Sequence, residues 1–392
     1  MSLPLAGIRI LDLSAVLPGS FCTQFLADLG AEVIKIEPPA GGDPGRSIPP
    51  LVKKTSVFFH MSNRNKKSVT LDLRNEVGRA ILLRLVERSD VFVENTRPGN
   101  PERIGLGYDD LAGINPRIIY CSITGFGKDG PFRDIPAHDI NFLALSGILG
   151  LIGEKGHGPA IPDIQIAGAG AGGMNAAMGI LSALLRRERT GKGQYIDAAI
   201  LDGLIPFLTL SMCLYMLDGR EPRRGESIVS GGCAFWNVYQ TKDGHYISLG
   251  CWENKYWENF CRAVNREDLA GEQHAPPRRQ DEIISEVRAI FMEKTRDEWL
   301  KLLNPKDVCY APVNSLGEAL EHPQIRHRGL WFKAAHPEDG EIPQPGFPLK
   351  FSEDQPGWRT PPPSHGEHTR EILKELGITN AELAEMKAAG II

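Results

Sequence analysis

The sequence predicts an α/β protein whose larger part is built on a mainly parallel sheet. Three observations carry this. Short apolar segments alternate with helix-period segments through the first third of the 392 residues. Turn signals fall between them, supplied by 42 glycines and 29 prolines, more than average usage of about 7% and 5% would give. With 42% hydrophobic and 24% charged residues, the chain has ample core material, and its length suits two or three domains of roughly 150 residues.

The elements follow in order. I-R-I-L-D-L at 8–13 is a strand, and a Pro18-Gly19 turn leads to an amphipathic stretch at 21–29 that Gly30 can close. The next strand, 33–37, ends at Pro38-Pro39; strand 69–73, helix 75–88, strand 91–94 and strand 118–123 repeat the pattern. Such alternation builds βαβ units, with ligands at the carboxyl ends of the strands. The first turn reads L-S-A-V-L-P-G-S and not G-x-G-x-x-G, so the fold is Rossmann-like with nothing to support a dinucleotide. Past Gly130, 139–149 and 169–187 read as helices, the second so rich in small residues that tertiary packing must hold it. Strand 195–198 precedes a polar, turn-rich stretch at 219–232, read as a linker. From Ala234 an aromatic-rich hairpin turns at Lys242-Asp243-Gly244, and helices follow to about 303. The tail at 342–363 is proline-rich and extended, and 366–376 is a closing helix.

Composition excludes several classes. A net charge of −5, from 44 basic and 49 acidic residues, argues against a nucleic-acid partner. The seven cysteines are scattered and never in C-x-x-C spacing, so neither structural zinc nor a disulfide framework is expected and no metal site is assigned. They read as reduced thiols of a cytoplasmic protein. No basic region and long apolar run open the chain, so no signal peptide is expected. The 22 residues at 164–185 carry no charge, and length alone would admit a membrane span. Gln165, Asn175 and five glycines inside it point instead to a buried helix packed through Gly and Ala, with no membrane partner.

Single residues say less. His138 follows Pro136-Ala137 in a loop, where a lone histidine is by default a surface or capping residue. Glu253, after the strand at 246–250, is by default a solvated carboxylate at a helix start. The basic stretch Asn63-Arg64-Asn65-Lys66-Lys67 is either solvated surface or a phosphate clamp. Arg97 and Arg103 flank Pro98-Gly99 after the strand ending at Glu94-Asn95. Two basic loops on one parallel sheet suit a polyanionic ligand such as a nucleotide phosphate.

Taken together, the motifs are specific. Residues 5–37 (L-A-G-I-R-I-L-D-L through L-G-A-E-V-I-K-I-E), N-R-N-K-K-S-V-T-L-D-L, V-E-N-T-R-P-G-x-x-E-R-I-G-L-G, T-G-F-G-x-x-G-P, E-R-T-G-K-G-Q-Y-I-D and S-H-G-E-H-T-R-E-I-L resemble the family III CoA-transferases over essentially the whole chain. That family includes formyl-CoA transferase, carnitine CoA-transferase and alpha-methylacyl-CoA racemase. The segments 138–142 and 144–147 are most similar to the racemase branch.

The resemblance implies a large CoA-binding α/β domain from 1–218 and 325–392, a linker at 219–225 and a small α+β domain at 226–324. Two subunits would be threaded as interlaced rings. Acyl-CoA would be the partner molecule, with coenzyme A as substrate or carrier and no separate cofactor. By similarity CoA would lie near Val16, Arg64, Leu71, Asn95, Thr96, Arg97, Arg103 and Ile104, its thioester end reaching Ala137, His138, Asp139 and Phe142.

One departure matters. Transferases of this family use an aspartate that attacks the thioester; in the racemase branch it is one of two opposed bases, the other being a histidine oriented by a glutamate. It sits in a segment like Q-I-A-D-x-x-G-G, which here is Q-I-A-G-A-G-A-G-G, so the position falls on Gly168, in a register pinned by Gly179-Ile180-Leu181. His138 and Glu253 remain as candidate catalytic groups, and Asp163 would substitute only if its loop were rebuilt. Three readings stay open: a CoA-transferase chain, as a homodimer or paired with a related aspartate-bearing subunit; a racemase or isomerase acting alpha to the thioester through His138 and Glu253; and a non-catalytic acyl-CoA-binding protein. Trp236, Tyr239, Trp252, Tyr256 and Trp257 read as core and interface aromatics, or alternatively as the lining of a bulky acyl pocket.

Overall fold

The computed structural model describes residues 3–53 and 55–392. By contacts the chain divides into two units: Met1–Phe142, Ile164–Pro206 and Pro323–Ile392 form the first, Leu143–Asp163 and Phe207–His322 the second. The chain returns to the first unit at 323, two residues before the expected point. Residues 143–163 and 207–218, expected in the large domain, fall with the second unit. The reason is local. Arg224 donates to the carbonyls of Gly150 and His157 at 3.1 and 2.9 Å, and Lys155 pairs with Asp281 at 3.0 Å.

The first unit carries six parallel strands: β1 (Arg9–Asp12), β2 (Glu32–Glu37), β3 (Lys66–Thr70), β4 (Val91–Glu94), β5 (Ile119–Thr124) and β6 (Gln194–Ala199). Their order is β3-β2-β1-β4-β5-β6. This is the doubly wound order, in which winding reverses between β1 and β4 and opens a crevice at their carboxyl ends. Both faces are covered, so the central strands bury apolar side chains on either side, and the charged residues of β1 to β3 that are enclosed with them are paired. Leu11, Ile34, Val69 and Phe92 pack under helix Glu76–Val86 and the C-terminal helices; Ile10, Val33, Val91 and Val93 pack under helices Gly19–Asp28 and Asn175–Thr190.

Four expectations shift. The strand expected at 69–73 is β3, three residues earlier, because Lys66 pairs with Val33 of β2 and its charge is neutralised inside the fold. The helix expected at 139–149 breaks at Gly147, whose φ of +87° ends one helix (Asp139–Leu145) before Ile148–Leu151. Residues Ile166–Met174 wind as a π-helix before the α-helix Asn175–Thr190. The chain ends not at 376 but with a further helix, Asn380–Ala388, started by a Thr379/Glu382 capping box. A hairpin, Trp331–His336 with Gly340–Pro345, also opens the proline-rich return.

The second unit has a three-stranded antiparallel sheet: Tyr246–Gly250 between Trp236–Gln240 and Tyr310–Pro312. Its core includes Tyr239, Trp257, Phe260, Phe291 and Trp299. Two helical runs, Ile166–Thr190 and Ile200–Leu217, are long and apolar enough to cross a membrane by length and composition. The first places Ala176, Ala177, Ile180 and Ala183 in the core, the packing expected of it. The second leaves Phe207, Met216 and Leu217 exposed, the last by 82%.

Candidate functional site

At the switch point lies a buried set of charges. Asp12, at the end of β1, accepts Thr23 Oγ1 at 2.6 Å, the Ser14 amide at 2.9 Å and Lys66 Nζ at 3.1 Å. Burial would raise its carboxyl, but Lys66 and Lys35 outweigh burial and hold it at about 2. Burial pulls Lys66 the other way, down to about 8, against the attraction of Asp12. Lys35 pairs with Asp43 at 2.7 Å and donates to the Ser14 carbonyl at 2.7 Å. Asp43 in turn takes the amide of Val16, whose φ of +56° turns the loop after β1. Asn95 completes the crevice wall, clasping Ala15 through its amide at 2.9 Å and its carbonyl at 2.8 Å.

Beside this framework a groove of about 520 Å³ opens along the carboxyl ends of β1 to β4. Leu13, Ile36, Leu71, Phe92, Ile104 and Leu106 make it apolar, and Glu37, Glu94, Thr96 and Asn100 place polar groups in it. Burial lifts the Glu94 carboxyl above its usual range, against bonds from Ser122 and Thr96, whose amide donates at 2.8 Å. Of the residues assigned to CoA, Leu71, Thr96 and Ile104 line this groove. Arg97 and Arg103 are exposed next to Thr96 and Ile104 in the chain, and Arg103 bonds Asn100. Sequence reasoning missed Arg74 and Asn100, which also line it. Their positions just past the ends of β3 and β4 were the available signal.

Arg64 is a correction. It is 2% exposed, with Nε and Nη2 on the Asp28 carboxylate at 2.9 and 2.6 Å and Nη1 on Gln344 at 3.2 Å. Lys66 is equally enclosed, by Asp12, Thr23, Asn63 and the Ser20 carbonyl. Within the basic stretch at 63–67, Arg64 and Lys66 are therefore neither solvated surface nor an open phosphate clamp, while the partly exposed Lys67 pairs with Glu32 and Glu371. The stretch ties β3 to the helix after β1 and to the C-terminal return.

The second part of the site gathers around Gly168. Ala137 leads into helix Asp139–Leu145, and the exposed His138 is fixed through its backbone, its N–H donating to Asn141 Oδ1 at 3.0 Å. Phe142 is 4% exposed and its ring lies tilted against Phe126, centroids 5.1 Å apart, so it belongs to the packed wall. Asp139 is half-buried; its Oδ1 accepts the Gly168 amide at 2.7 Å and its Oδ2 the Ala167 amide at 3.4 Å. The π-helix that carries Gly168 is a rare geometry, frequent at functional sites. Its glycines have different causes. A Cβ at Gly173 would sit 2.9 Å from the Pro18 carbonyl oxygen, and one at Gly172 3.0 Å from Ile200 Cγ1. At Gly168 the nearest atom would be Asp139 Oδ1 at 3.4 Å, an ordinary contact, and its φ lies outside the left-handed region.

Glu253 belongs to the second unit, as the exposed N-cap residue of helix Asn254–Ala263. Asp163 is also exposed. The aromatics of that unit divide: Tyr239 and Trp257 are fully buried core, while Trp236 and Trp252 are 36% and 43% exposed and meet edge to face at 5.8 Å. Among the described residues, His60, His336 and Asp339 bring ligand-type atoms within 4.8 Å of one another. His336 Nδ1 already accepts the Glu338 and Asp339 amides at 3.3 and 3.1 Å, and His60 Nε2 meets Asp339 at 3.0 Å, so the trio reads as a hydrogen-bonded tie.

Comparison with known proteins gives one consistent result. The profile of CoA-transferase family III matches residues 5–369. Succinyl-CoA:glutarate CoA-transferase of Mus musculus is 36% identical over 99% of this chain and 90% of its own length. Alpha-methylacyl-CoA racemase of Homo sapiens is 34% identical over 99% and 97%. The beta subunit of succinyl-CoA–L-malate CoA-transferase of Chloroflexus aurantiacus is 32% identical over 100% and 98%. Among solved structures, a CaiB/BaiF family protein from Brucella suis superposes with a TM-score of 0.84 at 30% identity, over 96% of this chain and 100% of that one.

Proposed function

This chain belongs to CoA-transferase family III, and from that premise we propose that it moves CoA between a CoA thioester and a carboxylic acid. The observation that carries the reading is the groove at the carboxyl ends of β1 to β4. Its apolar floor suits adenine and pantetheine, and the guanidinium groups of Arg74, Arg97 and Arg103 suit the phosphates. The thioester end then runs toward Ala137, His138 and Asp139. CoA is substrate and carrier, and the reaction needs no further cofactor.

Gly168 offers no carboxylate, so the attacking group comes either from an aspartate-bearing related subunit or from elsewhere in this chain. The similarity to a protein named as a beta subunit supports pairing. The exposed apolar face at Phe207, Met216 and Leu217 supports subunit association, as an interlaced homodimer or heterodimer. The racemase reading rests on His138, whose side chain is exposed just before Asp139 and whose imidazole is the candidate base for a proton alpha to a thioester, with Glu253 as the second candidate group. The compartment is the cytoplasm.

The test uses the purified chain, alone and co-expressed with an aspartate-bearing relative. Succinyl-CoA with glutarate is the first donor–acceptor pair, with transfer followed by chromatography of the CoA esters. Transfer by either preparation supports the reading. Absence of transfer, with alpha-proton exchange in deuterated water that vanishes in His138→Ala, would replace it with the racemase reading. CoA binding with neither activity would leave an acyl-CoA-binding protein.

A further inference from the structure

Resting on the CoA-transfer reading, we propose that Asp139 is the carboxylate that this chain uses in place of a side chain at 168. Packing does not demand glycine there: unlike Gly172 and Gly173, position 168 would accept a Cβ at ordinary contact distance. The atom that such a Cβ would meet first is Asp139 Oδ1, at 3.4 Å. The Asp139 carboxylate thus stands at the mouth of the space that the missing side chain would enter. It is half-buried, adjacent in sequence to His138, and held by two backbone amides, Gly168 at 2.7 Å and Ala167 at 3.4 Å. An aspartate at 168 would set a second carboxylate against the first, and like charges that close raise the pKa of one of the two. Gly168 with Asp139 is a self-consistent pair, in which one carboxylate has the site to itself.

The chemistry balances with this single group. An Asp139 oxygen attacks the thioester carbonyl carbon, the C–S bond breaks, and CoA leaves as thiolate from a mixed anhydride. The thiolate attacks the Asp139 carbonyl carbon, releasing the donor carboxylate and leaving an aspartyl-CoA thioester. The acceptor carboxylate attacks that thioester and expels the thiolate, which then attacks the acceptor's carbonyl carbon in the second anhydride. The new CoA ester departs and the Asp139 carboxylate returns. No redox change occurs and no net proton is consumed. Through these steps the Gly168 amide is placed to donate to the aspartyl oxygen, where negative charge develops.

Intact-mass and peptide-mass analysis of the wild-type chain after brief exposure to an acyl-CoA tests this without any variant. The expected adduct is CoA less one water, on the peptide that contains Asp139. In Asp139→Asn, which keeps an oxygen for the Gly168 amide, the adduct disappears and transfer falls about 10³-fold or more, with CoA binding in the groove unchanged. Adding Gly168→Asp to Asp139→Asn restores an adduct, now on residue 168. An adduct on another residue, or full transfer by Asp139→Asn, would overturn the assignment while leaving CoA transfer standing. A wild-type chain that gives neither adduct nor transfer, alone or with an aspartate-bearing relative, would overturn both.

Discussion

Two basic stretches sit on the parallel sheet, 63–67 running into β3 and 95–103 after β4, and as sequence they look alike. Folded, they have opposite roles. Arg64 and Lys66 are enclosed with Asp28 and Asp12, partners 36 and 54 positions away, whereas Arg97 and Arg103 stay in solvent beside the groove. Charge in a sequence reports a need for an opposite charge; whether protein or ligand supplies it depends on what the fold brings near. A buried ion pair does not stabilise much over an apolar replacement, but removing one partner strands the other at high cost.

That contrast can be broken in four measured ways. Arg64→Ala leaves the Asp28 carboxylate buried and unpaired, and is expected to cost about 3–5 kcal/mol in urea unfolding, while CoA affinity of the remaining folded protein is unchanged. A raised Kd for CoA without loss of stability would return Arg64 to the ligand. The second effect is pH dependence. Asp12 and Glu37 are held at about 2 in the fold, against burial, by their cationic and hydroxyl partners. Their folded values lie below the unfolded ones, so their contribution is present above about pH 4.5 and is lost as pH falls toward 2. Each is worth roughly 2–3 kcal/mol, read as a fall in unfolding free energy over that window.

On the exposed side the effects are smaller and fall on binding. Ile104→Glu puts a carboxylate into the apolar groove and is expected to weaken CoA binding about tenfold by calorimetry, with little change in stability. Arg97→Ala and Arg103→Ala each weaken it by a few-fold, since exposed charge pairs are worth roughly 0.2–1 kcal/mol. The Arg97 and Arg103 losses shrink as salt is added, which the Arg64 defect does not.

Much of this was legible beforehand because it is local or periodic. Apolar strands at 33–37 and 91–94 sit at or within one residue of β2 and β4. The hairpin turn at Lys242-Asp243-Gly244 is present, with Gly244 at φ +80°. The misplaced elements have separate causes, and only at β3 did a long-range partner override the local signal. Lys66 looked like loop because its neutralising aspartate lies at the end of β1, and the π-helix looked like ordinary helix because composition does not distinguish i+5 from i+4 bonding. Among the residues that line the groove, Leu71, Thr96 and Ile104 are ones the motifs name, while Asn100 falls on an unspecified position of V-E-N-T-R-P-G-x-x-E-R and Arg74 just past the end of N-R-N-K-K-S-V-T-L-D-L.

By itself the sequence determined the family, the parallel sheet and the strand ends at which the groove opens, and it put a glycine at 168. Those follow from pattern, register and residue identity, which the chain carries in order. Only tertiary structure decided that Arg64 is spent on Asp28, and that the Asp139 carboxylate reaches the Gly168 amide across 29 positions. A distance between residues far apart in the chain is set by how the sheet and helices pack, and no local pattern encodes it.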